Sequence, residues 1–339
     1  MRYTPETWPI AAAMLQFPAV LPDGTLAQDA DALEWVDTFS RIAETGFTDV
    51  EINDNWVRIG DLPSARVDEL AAAAREAGTE PSSVCVVRSS IIDPVTGAEN
   101  LDYTHRTVEA TKQLGAEVLS IGFHRPLTAE QRQRLWFWTT QGEIDAPDDE
   151  ENFALAVKRV REVGEHAASL GLELTLEMYE DTYLGTAASS VRLVTEVGLS
   201  NVGLNPDVGN LIRLHRPIDD WQETLAATLP HANYWHVKNY TRDEDPAQGL
   251  YTASPAPLEL GLINYRHAVR DAISLGFEGR FVCEHYGGDG LGVSAINREY
   301  LRRALASAEG TERRRAVASG QGAGAAEPSP ATASPAVTA

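Results

Sequence analysis

A closed parallel (β/α)8 TIM barrel, of the α/β class, is the fold predicted for this chain of 339 residues. Three observations predict it. Strand-like and helix-like stretches alternate eight times with a beat of about 37 residues, which suits eight parallel strands each followed by a helix. The helical stretches stop repeatedly at glycine, namely Gly46, Gly78, Gly115, Gly171, Gly198 and Gly276, the residue that tolerates the left-handed turn just past a helix. Polar residues capable of chemistry finish several strands, where the active site of such a barrel lies. A doubly wound open sheet is the alternative, but the first strand-to-helix turn lacks a Gly-x-Gly-x-x-Gly fingerprint.

Taken in order, strands are expected at 10–17, 48–52, 83–89, 117–123, 172–177, 202–205, 233–237 and 280–284, each rich in β-branched or other apolar residues. Helices are expected at 30–44, 66–77, 103–114, 151–170, 186–197, 218–229, 265–275 and 293–307. Two connections break the rhythm. Residues 124–150 carry Trp136, Phe137 and Trp138, and residues 238–262 carry Tyr240 and Tyr251. Loops of this length in a compact domain usually serve function or contact. The barrel is expected to fill 1–307. Residues 308–339 are mostly Ala, Gly, Ser, Pro and Thr with a short Arg run and read as a disordered low-complexity tail.

Fifty acidic against 28 basic residues give a formal charge of −22, which repels phosphate backbones and anionic lipid heads. Neither a nucleic-acid nor a membrane partner is expected. No stretch approaches the roughly 20 apolar residues of a membrane-spanning helix, and the start MRYTPETWPI has no signal-peptide pattern, so a cytoplasmic location is expected. The two cysteines, Cys85 and Cys283, lie in apolar runs and read as small buried hydrophobes.

The chemistry is read from strand ends. In LELTLEMYE, Leu172, Leu174 and Leu176 share one side, so Thr175 and Glu177 share the other. A lone Glu there is usually solvated. Three later strands change that expectation: Asp207 follows strand six, His236 lies opposite Trp235 and Val237 in strand seven, and Glu284 lies opposite Phe281 and Cys283 in strand eight. Glu177, Asp207, His236 and Glu284 together offer hard oxygen donors and one imidazole, a set that suits one divalent cation. Mn²⁺ is favoured, with Mg²⁺, Co²⁺ or Zn²⁺ as alternatives.

The order TLEMYED, NPDVGN, WHVKN and CEHYGGD resembles the sugar phosphate isomerase/epimerase superfamily with its xylose-isomerase-like barrel, over about residues 10–307. The resemblance implies that the two Glu, the Asp and the His bind one divalent metal. It also implies a small-molecule keto-sugar substrate that loses a proton beside a metal-polarised carbonyl. Within that superfamily the chain is most similar to the large subunit of bacterial C-glycoside deglycosidases. That implies a lyase acting on a 3-keto-glycoside and a small β-rich partner subunit, and an oligomer is expected. A ketose isomerase or 3-epimerase acting on a free, non-phosphorylated sugar is the alternative, and a non-catalytic sugar-binding subunit is an alternative of another class. Metal-dependent abasic-site endonucleases share the barrel, but they need further metal-binding His and a basic face that this chain lacks.

His124 ends strand four on the inward parity and is the candidate acid/base outside the metal set; its structural alternative is to support a metal ligand or anchor a loop. Glu177 and Glu284 are the other candidates for moving the proton. Lys238 borders the site and either bonds a sugar hydroxyl or offsets the acidic pocket. His285, of opposite parity to Glu284, reads as a loop or packing residue, and His215 as one within reach of substrate. Glu51 is expected at the rim, solvated or on a sugar hydroxyl. The run Gly287 to Gly290 reads as a tight turn, because its Asp289 disfavours phosphate.

Overall fold

A computed structural model describes residues 2–318. Eight parallel strands form its sheet: β1 Ile10–Ala13, β2 Asp49–Asn53, β3 Glu80–Cys85, β4 Val118–Ile121, β5 Glu173–Glu177, β6 Val202–Asn205, β7 Tyr234–Val237 and β10 Arg280–Cys283. The helices are α1 Ala32–Glu44, α2 Ser64–Glu76, α3 Gly97–Leu114, α4 Glu150–Ser169, α5 Ala187–Val197, α6 Gly209–Ile212, α7 Trp221–Thr228, α8 Tyr265–Ser274 and α9 Gly290–Ala318. The predicted (β/α)8 barrel is thus the observed fold. Hydrogen-bonded neighbours run β6-β5-β4-β3-β2-β1-β10-β7. The barrel is nearly closed: between β6 and β7 there is one isolated parallel bridge, Leu204 with Ala232, and the Asn205 side chain accepts from the His236 amide at 2.7 Å.

Strand parity sorts the apolar residues into two cores. Trp235 and Val237 of β7, and Phe281 and Cys283 of β10, join the large outer core between sheet and helices. There Trp235 lies 5.5 Å from Phe281 and 5.9 Å from Phe277. A small inner core of Ala11, Ala13, Val118, Tyr234 and Val282 fills the barrel beneath the mouth. Side-chain acceptors at Asp31, Asp149, Thr186, Asp220 and Asn264 cap the helices they precede. Gly115 and Gly198 end α3 and α5 with φ of +90° and +68°, the left-handed stop that the sequence predicts.

Several boundaries differ from expectation. The third strand starts at Glu80 and ends at Cys85, earlier than predicted. The second long connection is not all loop: β8 Asn239–Asp245 and β9 Leu250–Ala256 pair as an antiparallel hairpin. Its charged strand and the Pro255 in β9 hid it from apolar periodicity. The sixth helix starts later than predicted, at Trp221 behind the Asp220 cap, and the short α6 precedes it. The last helix runs past Ser307 to Ala318, through a stretch whose Ala, Glu and Arg favour helix. Residues 319–339 of the expected tail lie outside the described residues. Both cysteines are free and buried. Among the described residues no helix is long and apolar enough to cross a membrane.

Candidate metal centre

The four strand-end residues converge. One donor atom from each of Glu177, Asp207, His236 and Glu284 lies within 4.8 Å of all the others, and all four side chains are buried. Glu177 closes β5. Asp207 is thrown inward by the turn after β6, where its amide bonds Asn205 O at 2.7 Å. The Glu284 amide bonds Val237 O at 3.2 Å, which sets it beside the end of β7. His236 Nδ1 faces the three acids, 3.4 Å from Glu284 Oε2, 3.7 Å from Asp207 Oδ2 and 3.8 Å from Glu177 Oε2. That nitrogen has no hydrogen-bond partner, and neither has Asp207 Oδ1. Buried polar atoms are rarely left so. A bare imidazole nitrogen facing three carboxylates is the donor set a hard or borderline divalent cation takes, so the residues present fit such an ion.

Neighbouring groups hold the acids in place. Asn210, in the short α6, donates to Glu177 Oε1 at 3.0 Å and Asp207 Oδ2 at 3.1 Å. Lys238 Nζ sits 2.7 Å from Asp207 Oδ2 and 2.8 Å from Glu284 Oε2, so this expected border residue is an integral countercharge. Burial works against the ammonium, but Asp207 and Glu284 raise Lys238 well above its ordinary range. Burial also pushes Glu284 up, with Asp207 adding to the rise. Glu177 behaves in the opposite way. Burial would raise it, yet the imidazoles of His124 and His236 together hold it well below the usual carboxylate range.

His124 is inside the mouth, as its parity predicts. Its Nε2 stands 3.6 Å from Glu177 Oε1, its ring meets Tyr179 edge-on at 4.2 Å, and neither ring nitrogen has a hydrogen-bond partner. The ring folds back over Gly122, where a Cβ would stand 2.4 Å from His124 Cε1. Glu51 is not at the rim. It is fully buried inside the barrel, accepting from Tyr234 Oη at 2.6 Å and meeting His236 Nε2 at 2.8 Å. Parity aims it inward as expected, but β2 continues to Asn53 and so buries it below the mouth. Glu51, Cys85 and His236 also converge. They make a poor second cation site, because burial, then Glu51 and Glu177, keep the Cys85 thiol protonated. His215 does not reach the cluster and bonds Trp138 O at 3.0 Å. His285 is buried outside the cluster, and burial lowers its pKa.

The first long connection packs its aromatic residues beside the mouth. Trp136 and Trp138 stack at 5.0 Å, while Phe137 and Trp138 meet Tyr286 at 6.1 and 5.5 Å. Trp136 also lies on Gly287, where a Cβ would come within 2.7 Å of its ring. Beneath these rings Arg213, absent from the sequence-derived site, is buried and paired with both oxygens of Glu180 at 3.1 Å. Loop residues have no periodicity to reveal such a pair. Only the proximity of both to strand ends could have signalled it.

The profile of the xylose isomerase-like TIM barrel family matches residues 39–316. The chain belongs to this family. A crystal structure of a family member from Mycobacterium smegmatis in complex with magnesium is 45% identical, with a TM-score of 0.86 over 90% of this chain and 99% of that one. Among more distant folds, 3-keto-D-glucoside 4-epimerase from E. coli is 17% identical, with a TM-score of 0.61 over 88% of this chain and 100% of that one. D-psicose 3-epimerase from Clostridium cellulolyticum H10 is 16% identical, with a TM-score of 0.59 over 90% and 98%. These two share the barrel. Among curated proteins no match is found.

Proposed function

We propose that this chain is a divalent-metal-dependent carbohydrate enzyme that removes a proton from the carbon beside a keto-sugar carbonyl. The observation that carries the proposal is the unpartnered Nδ1 of His236 among Glu177, Asp207 and Glu284. Mn²⁺ or Mg²⁺ suits that set, and the similar protein from M. smegmatis was crystallised with magnesium. When bound, such an ion supplies Lewis-acid stabilisation of the negative charge that develops on the carbonyl oxygen.

The chain's own groups move the proton. His124, buried and without a fixed hydrogen bond, is the base that takes the proton on carbon, and its distance from Glu177 lets the resulting imidazolium be stabilised. Glu177 and Glu284, which stand in the same cluster, are the alternative groups for taking the proton. Lys238 offsets part of the acidic charge.

Within this chemistry the preferred substrate is a 3-keto-C-glycoside, supported by the partly buried rings of Trp136, Phe137 and Tyr286 beside the cluster, which suit a planar aglycone. The C2–H bond breaks, its electron pair forms the C1–C2 double bond, and the C1–aglycone bond breaks. The aglycone carbon takes the electron pair of the broken C1–aglycone bond and a proton, and a small β-rich subunit completes the site. The alternative, epimerisation or isomerisation of a free ketose, returns the proton to carbon instead. The epimerases among similar folds support it.

The test uses the full chain with Mn²⁺ in D₂O and a panel of free ketoses and 3-keto-C-glycosides, with and without a co-encoded small protein. Deuterium at the α carbon or in the product, abolished by chelation and restored by Mn²⁺, is expected. Absence of exchange from every keto-sugar, or full exchange after chelation, overturns the proposal.

A further inference from the structure

A buried carboxylate is expensive unless something repays its desolvation, and Glu51 is 0% exposed. Among the described residues its only ion-pair partner is His236. One oxygen, Oε2, receives Tyr234 Oη at 2.6 Å and His236 Nε2 at 2.8 Å, and Tyr234 Oη is fixed in turn by Ser83 Oγ at 2.5 Å. The result is a hydrogen-bonded chain inside the barrel, Ser83 to Tyr234 to Glu51 to His236, contributed by β2, β3 and β7. Glu51 Oε2 and His236 Nε2 stand at hydrogen-bond distance, and a carboxylate oxygen placed there accepts a hydrogen from that nitrogen.

We infer that Glu51 is a positioning residue: by accepting the Nε2–H of His236 it leaves Nδ1 as the nitrogen that faces Glu177, Asp207 and Glu284. The inference rests on the proposal that those four residues bind a divalent cation, and it assigns a role to a residue outside them. A neutral imidazole has one hydrogen and two nitrogens, so without an acceptor at Nε2 the ring divides between tautomers, and one of them turns an N–H toward the cation. The ring would also lose its fixed rotation. Carboxylates that hold a ligand histidine in this way are worth about 10–100-fold in metal affinity.

Two readouts test this on the full chain. Mn²⁺ affinity is measured by electron paramagnetic resonance titration of the wild type, Glu51→Gln and Tyr234→Phe, with thermal unfolding as a fold control. The nitrogen shifts of His236 are read in Mg²⁺-loaded protein labelled with [¹⁵N]histidine, the signal being assigned by its loss in His236→Gln. The wild type should bind Mn²⁺ and show Nε2 protonated with Nδ1 bare. Glu51→Gln should weaken Mn²⁺ binding by about 10–100-fold and lose the single-tautomer pattern. Tyr234→Phe, which removes one of the two bonds to Glu51, should weaken it a few-fold.

A variant with a lowered unfolding midpoint but wild-type Mn²⁺ affinity and spectrum makes Glu51 merely structural and overturns the inference. If Glu51→Gln does not fold, the wild-type spectrum and Tyr234→Phe decide, and a bare Nε2 in the wild type overturns it. A wild type that binds no cation removes the metal proposal itself, and this inference with it.

Discussion

The two faces of β7 are separated by one peptide unit and live in different physics. Trp235 and Val237 point into the outer core, where aromatic rings pack at 5.5 to 6.0 Å and any apolar residue of similar volume would serve. Tyr234, His236 and Lys238 point into the barrel, where each polar atom has a named partner or a conspicuous lack of one. The outer face lowers the free energy of the fold. The inner face places four acids and two basic groups close together and gives some of that stability back. Stability and chemistry should therefore separate under mutation.

The largest effect is expected from a direct loss of the donor set. Glu177→Gln replaces a hard anionic donor with a neutral amide. It should remove most bound metal in elemental analysis and nearly all turnover while leaving the unfolding midpoint close to wild type. Full metal occupancy in both this variant and His236→Ala would break the assignment. His124→Asn should come next. It should keep metal and fold but lose roughly 10²–10⁴-fold in turnover, the usual worth of a general base. Wild-type deuterium exchange in this variant would transfer the base role to Glu177 or Glu284.

The opposite face gives the converse. Phe281→Ala should cost about 3–5 kcal/mol in chemical denaturation by removing a fully buried ring. Mn²⁺ affinity should stay within a factor of about 2, well under the 1.4 kcal/mol that a tenfold change represents. The last effect is confined to a pH window and lies at Asp54, just past the end of β2. Burial, only partly offset by the Val87 amide, pushes its carboxyl from 3.8 to about 7. A raised acid binds more protons folded than unfolded. Its contribution is therefore fully present below pH 3.8 and is lost as pH rises to about 7. Asp54→Asn should flatten that part of the stability profile, and an unchanged slope would show that Asp54 is ionised in the fold.

Much of the site was legible because parity and strand ends are local properties. Glu177, His236 and Glu284 alternate with apolar neighbours that must face helices, so their direction follows from period two. Glu51 shows the limit. Its inward direction is local, but its depth depends on how far β2 runs and on the register shift between Val50 and Glu51 against β3. The place of Trp136 and Trp138 against Gly287 and Tyr286 is likewise a tertiary fact, since a loop carries no period to read. The hairpin of β8 and β9 was missed for a related reason. Seven charged or polar residues in a row, Asn239–Asp245 with one Tyr among them, do not announce a strand that, among the described residues, pairs with its neighbour alone.

The thin junction between β6 and β7 gives the acid cluster a second, mechanical meaning. The ladder that joins every other neighbouring pair of barrel strands is reduced there to one bridge and one side-chain bond. Glu177 and Asp207 stand on one lip of this seam, and His236, Lys238 and Glu284 on the other. The Lys238 to Asp207 contact at 2.7 Å already laces it. A cation held by all four ligands would act as a clasp on the weakest line of the barrel. Loading it would then slow amide exchange along 202–205 and 234–237 before it altered exchange anywhere else in the sheet.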